Sequence, residues 1–216
     1  MPVRILVADD HEIVRRGLRA LLDDQPNWEV VGEAVSGREA VDKAKLLMPD
    51  VAVIDVGMPE LNGLEATRQI LKALPQTEVL ILTMHESEQI VREVLDAGAR
   101  GYVLKSDAGK DLVAAVDALC QHRTFFSSKI SDMLLRSYIR PVRTEQPETA
   151  RGRLTARERE IVQLLAEGKS NKEVANALNI SIKTAETHRT NIMNKLDLRS
   201  ITELVRYAVR NNIVEP

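Results

Sequence analysis

Five short, almost uninterrupted apolar runs, each followed by a helical pattern, leave few folds open to the N-terminal half of this chain. The runs are Val3–Ala8, Glu29–Val35, Val51–Ile54, Glu78–Leu82 and Gly101–Leu104. Continuous rather than alternating apolar strands belong to parallel sheets covered on both faces. Between the runs, Ile13, Val14, Gly17, Leu18, Leu21 and Leu22 trace one helix face. Leu64, Thr67, Ile70, Leu71 and Leu74 trace another, Ile90, Val91, Val94 and Leu95 a third, and Leu112, Val113, Val116 and Leu119 a fourth. Ser36-Gly-Arg-Glu39 and Asn62-Gly-Leu-Glu65 read as helix N-caps with a carboxylate at the third helical position. The pattern is (βα)₅, an α/β doubly wound parallel sheet with helices on both faces.

The polar residues that follow these runs converge. The first strand ends in Asp9-Asp10, the third in Asp55, the fourth in Thr83 and the fifth in Lys105. Parallel strands bring all these ends to one sheet edge, where open α/β folds keep their chemistry. A single Asp after a strand is ordinarily a helix cap or a solvated loop residue, and Asp9 or Asp10 has the first helix to cap. Five polar groups meeting at one edge need a different explanation. Three clustered carboxylates repel, and one stays protonated unless a cation intervenes; a hard divalent ion, Mg²⁺ foremost, supplies that charge. Asp55 is then a candidate nucleophile toward a phosphoryl group, with Lys105 neutralising its oxygens and Thr83 donating a hydrogen bond.

Composition narrows the partners. The chain of 216 residues suits two ordinary domains, and its 44% apolar and 29% charged content is that of globular proteins. From Arg151 onward twelve Lys/Arg stand against eight Asp/Glu, whereas the preceding part carries eighteen against twenty-four. An acidic half followed by a basic one points to two domains with different partners. Cys120 is the only cysteine, which excludes an internal disulfide and a multi-cysteine zinc site. With few aromatic residues an RNA-stacking platform is not expected. No apolar run approaches membrane-spanning length, and Met1-Pro2-Val3-Arg4 leads straight into a strand, so a cytoplasmic protein with no membrane partner is expected.

Val3–Gln121 resembles the receiver domain of bacterial two-component response regulators. The matching motifs are Ile5-Leu-Val-Ala-Asp-Asp10, Val53-Ile-Asp55-Val-Gly-Met-Pro59, Asn62-Gly63, Leu82-Thr83 and Gly101-Tyr-Val-Leu-Lys105. The resemblance implies a flavodoxin-like fold with Asp55 as phosphoacceptor. It further implies Mg²⁺ on Asp9, Asp10, Asp55 and the Gly57 carbonyl, Lys105 and Thr83 on the phosphoryl group, and Tyr102 as an aromatic switch. Ser106 stands where many receivers carry a proline after a cis peptide; a cis Lys105–Ser106 bond would be a non-proline one, costing about 3–4 kcal/mol. His85, two residues past Thr83, is a candidate for touching the water that hydrolyses the acyl phosphate, or else an exposed loop histidine.

Past the fifth helix, Arg123-Thr-Phe-Phe-Ser-Ser128 and the spacing of Ile130, Met133, Leu134 and Tyr138 predict one short helix. The polar stretch from Arg140 to Gly152 reads as a flexible tether, and Lys129, Arg136, Arg140 and Arg143 as a solvated face. The domain reading is therefore 1–122, a linker over 123–152, and 153–216. The last part holds four short helical patterns. Thr155-Ala-Arg-Glu158, Ser170-Asn-Lys-Glu173 and Ser200-Ile-Thr-Glu203 are capping boxes, Ser181 caps the remaining helix, and Gly168 ends the first. A tight turn over Leu178-Asn179-Ile180-Ser181 makes a helix-turn-helix whose second helix begins at Ile182. Its exposed face carries Lys183, Glu186, Thr187, Thr190 and Asn191, with Arg189 and Lys195 at the flanks: short polar groups for base edges, basic ones for phosphates.

Leu154–Val214 resembles a LuxR-type DNA-binding domain through Leu154-Thr-Ala-Arg-Glu158, Gly168-Lys-Ser-Asn-Lys-Glu-Val-Ala175, Ser181-Ile-Lys-Thr-Ala-Glu-Thr-His188 and Asn194–Leu198. Both halves together resemble the NarL/FixJ class of response regulators. The resemblance implies a transcription regulator, not an enzyme beyond slow self-catalysed phosphorylation and dephosphorylation, that takes phosphate from a histidine kinase and binds double-stranded DNA. It makes Lys183, Glu186, Thr187 and Thr190 base readers and Thr184, Arg189, Asn191 and Lys195 backbone contacts. The Ser200–Arg210 helix becomes the dimerisation helix of a homodimer formed on phosphorylation or on DNA. A phosphohydrolase that uses Asp55 for turnover would need a second acid two residues on, where Gly57 stands. A DNA-binding protein indifferent to phosphate would have no use for the intact acidic edge.

Overall fold

The computed structural model describes residues 2–84, 86–127, 130–131 and 154–214 of the chain. His85, Met133, Leu134, Tyr138, the 140–152 stretch, and Lys129 and Arg136 lie outside the described residues. The chain divides into two compact units, Met1–Val142 and Arg143–Pro216.

In the first unit all five expected strands form, as β1 (Val3–Ala8), β2 (Trp28–Ala34), β3 (Val51–Asp55), β4 (Glu78–Thr83) and β5 (Gly101–Leu104). They alternate with α1 (Glu12–Asp23), α2 (Gly37–Leu47), α3 (Gly63–Ala73), α4 (Glu88–Asp96) and α5 (Ala108–Cys120). The sheet has six strands rather than five. Phe125–Phe126, expected as linker, forms β6, and the order is β2-β1-β3-β4-β5-β6 with every pairing parallel. Two adjacent aromatic residues add a short strand because each has a core to enter: Phe125 packs with one apolar layer and Phe126 with the other.

Strand periodicity divides the core. Ile5, Val7, Val51 and Val53 face α1 and α5, while Leu6, Ala8, Ala52 and Ile54 face the layer containing α2, α3 and α4. Both faces are covered, which is why the strands read as unbroken apolar runs. The α1 face is narrower than its periodicity predicts. Only Leu18 and Leu22 are buried; Ile13 is 87% exposed, and Leu21 and Gly17 also face outward. On α4, Ile90, Val91 and Val94 are buried but Leu95 is exposed. An edge-on helix buries about one residue per turn, so an apolar period overstates its contact.

Ser36 and Asn62 cap α2 and α3 by accepting from the Glu39 and Glu65 backbone N–H. Asn62-Gly63 has a second purpose. A Cβ at Gly63 would lie 1.9 Å from the Asp55 carbonyl oxygen, so α3 presses its first turn against the backbone of the third strand's last residue. Among the described residues no peptide bond is cis. The Lys105–Ser106 bond is therefore trans, and Lys105–Asp107 form a 3-10 turn leading into α5.

The second unit contains α6 (Ala156–Ala166), α7 (Asn171–Leu178), α8 (Ile182–Lys195) and α9 (Ile201–Arg210). Their core unites Ile161, Leu164, Leu165, Val174, Leu178, Ala185, Ile192, Leu204 and Ala208. Full capping boxes form at Thr155/Glu158 and Ser170/Glu173. The third differs: Ser200 accepts from the Glu203 N–H, but the Glu203 carboxylate takes the Arg199 N–H instead of that of Ser200. Gly168, at φ +84, closes α6 with the Gly168 and Lys169 N–H groups on the Leu165 and Leu164 carbonyls. Asn179 takes the left-handed conformation between α7 and α8, making the turn of the helix-turn-helix. Because no side chain can enter the 1.9 Å gap at Gly63, Gly63→Ala should cost about 3 kcal/mol and lower Tm of the first unit by on the order of 10 °C in a thermal melt.

Candidate functional site

The strand C-termini bring the expected residues of the first unit together. Asp9 follows β1, Asp55 ends β3, Thr83 ends β4 and Lys105 follows β5. Register aligns them, with Asp55 beside Leu82 and Thr83 beside Leu104. Asp9, Asp55 and Thr83 are buried. The Lys105 ammonium lies 2.8 Å from Asp9 Oδ2 and 2.8 Å from Asp55 Oδ2. Burial alone would lower the Lys105 pKa, but the negative charges of Asp55 and Asp9, with the hydrogen bond to Asp55, outweigh it and hold it above its ordinary value. Lys105 is a fixed cation at any physiological pH.

Asp9 does not cap α1. The N-cap is His11, and Asp9 Oδ1 accepts the His11 backbone N–H at 2.9 Å, while the Arg15 guanidinium binds the Asp9 carbonyl at 2.8 Å. Asp10 is more exposed and lies 2.8 Å from His11 Nδ1. Ligand atoms of Asp9, Asp10, His11 and Asp55 all fall within 4.8 Å of one another. His11 was missed by sequence reasoning; its adjacency to Asp10 was the available signal. Three carboxylates against one ammonium leave excess negative charge. The Asp9 Oδ2 contact with Lys105 is an ion pair without aligned hydrogen-bond geometry, so this buried oxygen keeps acceptor capacity. The donor set fits a hard divalent cation with oxygen ligands. Gly57, whose carbonyl completes the expected set, lies half-buried two residues past Asp55.

Tyr102 is fully buried in the core layer that also contains Ile90, Val91 and Val94 of α4. Burial, with the nearby Glu86 charge, pushes its phenol pKa well above the ordinary value. β6 pairs with β5 here, with Tyr102 beside Phe126, and Phe126 and Ile130 pack in the same layer.

In the second unit α8 presents Lys183, Thr184, Glu186, Thr187, Thr190 and Asn191 to solvent while Ala185 and Ile192 are buried. The Thr187 and Thr190 hydroxyls donate to the Lys183 and Glu186 carbonyls at 2.8 and 3.0 Å. Their methyls and oxygen lone pairs are then the groups offered outward, suited to a thymine methyl or a base amino group. Arg189 and Lys195 differ from the rest. Arg189 Nη1 reaches Asn171 Oδ1 at 3.4 Å, and Lys195 Nζ lies 2.7 Å from Glu158 Oε2.

An acid–lysine edge on a doubly wound sheet, followed by a helix-turn-helix unit, defines the class: a DNA-binding regulator with a receiver. The response regulator receiver domain family matches residues 5–117, and the bacterial regulatory proteins of the luxR family match residues 152–208. The response regulator protein VraR of Staphylococcus aureus is 40% identical over 215 residues, covering all of both chains. The oxygen regulatory protein NreC of Staphylococcus epidermidis is 38% identical over 217 residues, 99% of this chain and 100% of that one. Among solved structures, a two-component response regulator RcsB–DNA complex superposes with a TM-score of 0.60 at 29% identity, over 98% of this chain and 99% of that chain. The chain belongs to the NarL class of two-component response regulators and is a DNA-binding transcription regulator. Among the described residues no helix is long and apolar enough to cross a membrane.

Glu158 carries a pH dependence. Burial opposes its charge, but the Lys195 ammonium and the Thr155 N–H and hydroxyl overcome that and hold the carboxyl below its ordinary 4.5. A depressed folded pKa contributes stability that is present above the unfolded value and lost as pH falls through the folded one. Glu158→Gln should therefore destabilise the second unit by about 1–2 kcal/mol at neutral pH. In melts at descending pH the gap from wild type should close below pH 4.5.

Proposed function

We propose that Asp55 accepts a phosphoryl group from the phosphohistidine of a kinase, and that the resulting charge controls DNA occupancy by the second unit. The observation that carries this reading is the buried Lys105 ammonium, 2.8 Å from both Asp55 and Asp9. An Asp55 carboxylate oxygen attacks phosphorus, the O–P bond forms as the P–N bond breaks, and the departing imidazole takes up a proton. Lys105, held in place by Asp9, meets the negative charge developing on the phosphoryl oxygens, and Thr83 offers a hydroxyl at the same edge. The carboxylates of Asp9, Asp10 and Asp55 with the Gly57 carbonyl would hold Mg²⁺, which when bound neutralises further phosphoryl charge.

The acyl phosphate adds up to about two negative charges at the sheet edge. Thr83 and Tyr102 respond, biasing the surface formed by α4, β5 and α5 between two states. On the DNA side, Lys183, Glu186, Thr187 and Thr190 read bases from α8, and Thr184 and Asn191 meet the backbone. α9 supplies a dimer contact: behind its buried Leu204 and Ala208 it carries a second stripe, Ile201, Val205 and Val209, that is exposed or half-exposed. The RcsB structures include dimers bound to DNA, and two linked half-sites raise the effective concentration of the second contact.

Incubated with radiolabelled acetyl phosphate and Mg²⁺, the wild-type chain should take up label and Asp55→Ala should take up none. Persistent labelling of Asp55→Ala would refute the assignment. In selections from a random duplex library, Thr187→Ala should enrich a different base from wild type at one position per half-site, changing discrimination there by about 1–3 kcal/mol.

A further inference from the structure

The basic residues of the second unit separate by what their side chains already hold. Lys172, Lys183 and Arg199 are exposed. Lys195, at the far end of α8 from Lys183, is 24% exposed and meets a Glu158 carboxylate that is 18% exposed, at 2.7 Å. The same Glu158 oxygen accepts the Thr155 backbone N–H at 2.8 Å, so the tie ends on the first turn of α6. Drawing Lys195 onto a DNA phosphate would strip this partly buried carboxylate of its cation and leave it near the polyanion, a costly exchange.

We propose that Lys195 is a positioning residue: pinned on the α6 capping box, it sets the tilt of α8 and so governs sequence discrimination rather than attraction to phosphate. Thus the residue that resemblance made a backbone contact acts through the helix that carries it. The lever is long. Twelve residues separate Lys195 from Lys183 in the helix, roughly 18 Å at 1.5 Å per residue. A tilt of about 5° about the pinned end displaces the base-reading turn by about 1.5 Å, enough to break a hydrogen bond. Arg189 supports the same geometry by reaching Asn171 at the start of α7. Arg157 does so from α6, donating to the Leu178 carbonyl, where α7 ends, at 2.8 Å.

The inference rests on α8 being the helix that reads DNA, and the test separates the two. Full-length Lys195→Met, Lys195→Arg, Lys183→Met and Thr187→Ala are titrated against a duplex enriched from a random library by the wild-type chain, and against its scrambled counterpart, over a range of NaCl concentrations. Lys195→Met should bind the enriched duplex about tenfold more weakly, a loss of the size of one mismatched base pair. Its affinity for the scrambled duplex and its salt slope should stay those of wild type, and Lys195→Arg should restore the enriched affinity. Lys183→Met, which removes a base reader, should weaken the enriched duplex more than the scrambled one. An unfolded variant would lose the scrambled duplex as well, so misfolding does not imitate the expected result. If Lys195→Met weakened both duplexes alike with a slope reduced by about 1, Lys195 would be a phosphate contact and the inference overturned. Unchanged binding of both duplexes by Lys195→Met would overturn it equally. If Lys183→Met and Thr187→Ala changed neither duplex, the assignment of α8 would fall first and the inference with it.

Discussion

One buried ammonium organises the first unit. Lys105 stands between Asp9 and Asp55, whose carboxylates would otherwise repel at an edge with little solvent to screen them. The strand alternation delivers these groups from the ends of β1, β3 and β5 to one place, with the ammonium 2.8 Å from each carboxylate. The ammonium does not cancel the charge. The residual negative potential, spread over Asp9, Asp10 and Asp55, suits the edge to a divalent cation, and in the proposed function that cation with Lys105 would meet the phosphoryl charge. The same carboxylates are thus unfavourable to the resting fold and are the groups the proposed chemistry would use, a conflict that Lys105 holds in balance.

The second unit applies the same economy to a different end. Its helices are too short to be stable alone, and each is secured at its start by a hydroxyl that accepts a backbone N–H. At α6 the capping carboxylate is shared with Lys195 from α8. A local device for starting one helix thereby becomes a long-range constraint on another, and the exposed face of α8 inherits a defined orientation from side chains that never reach it.

How much of this was legible in the sequence follows from which interactions are local. The strand runs, the caps at Ser36, Asn62, Thr155 and Ser170, and the start of α8 at Ile182 were read to within a residue or two, because periodicity and capping involve neighbours. The convergence of Asp9, Asp55, Thr83 and Lys105 was legible because parallel topology fixes which strand ends share an edge. What escaped depends on partners distant in sequence. Ile13 has the right period but no layer above it. The Glu203 carboxylate takes the Arg199 N–H, one residue before the N–H that a capping box would use. Lys195 and Glu158 stand thirty-seven residues apart, with no pattern linking them. The Lys105–Ser106 bond is trans, since without a proline at Ser106 the cis form would cost about 3–4 kcal/mol, and a 3-10 turn joins β5 to α5 there.

β6 alters how the first unit ends. By sequence Phe125 and Phe126 belong to the connector, yet they lie in parallel register beside Gly101 and Tyr102, with the Phe125 N–H donating to the Arg100 carbonyl, and form the outer rim of the sheet. Below them the turn after α5 is stapled: Arg100 donates to the His122 carbonyl at 2.7 Å and pairs with Glu78, which also meets His122 Nδ1 at 2.8 Å. A chain severed after His122 would bare the β5 edge, and with it the backbone of Tyr102, as a template for strand addition by another molecule. The connector is therefore a selvedge as well as a link: it keeps the weave of the sheet from fraying into intermolecular contacts.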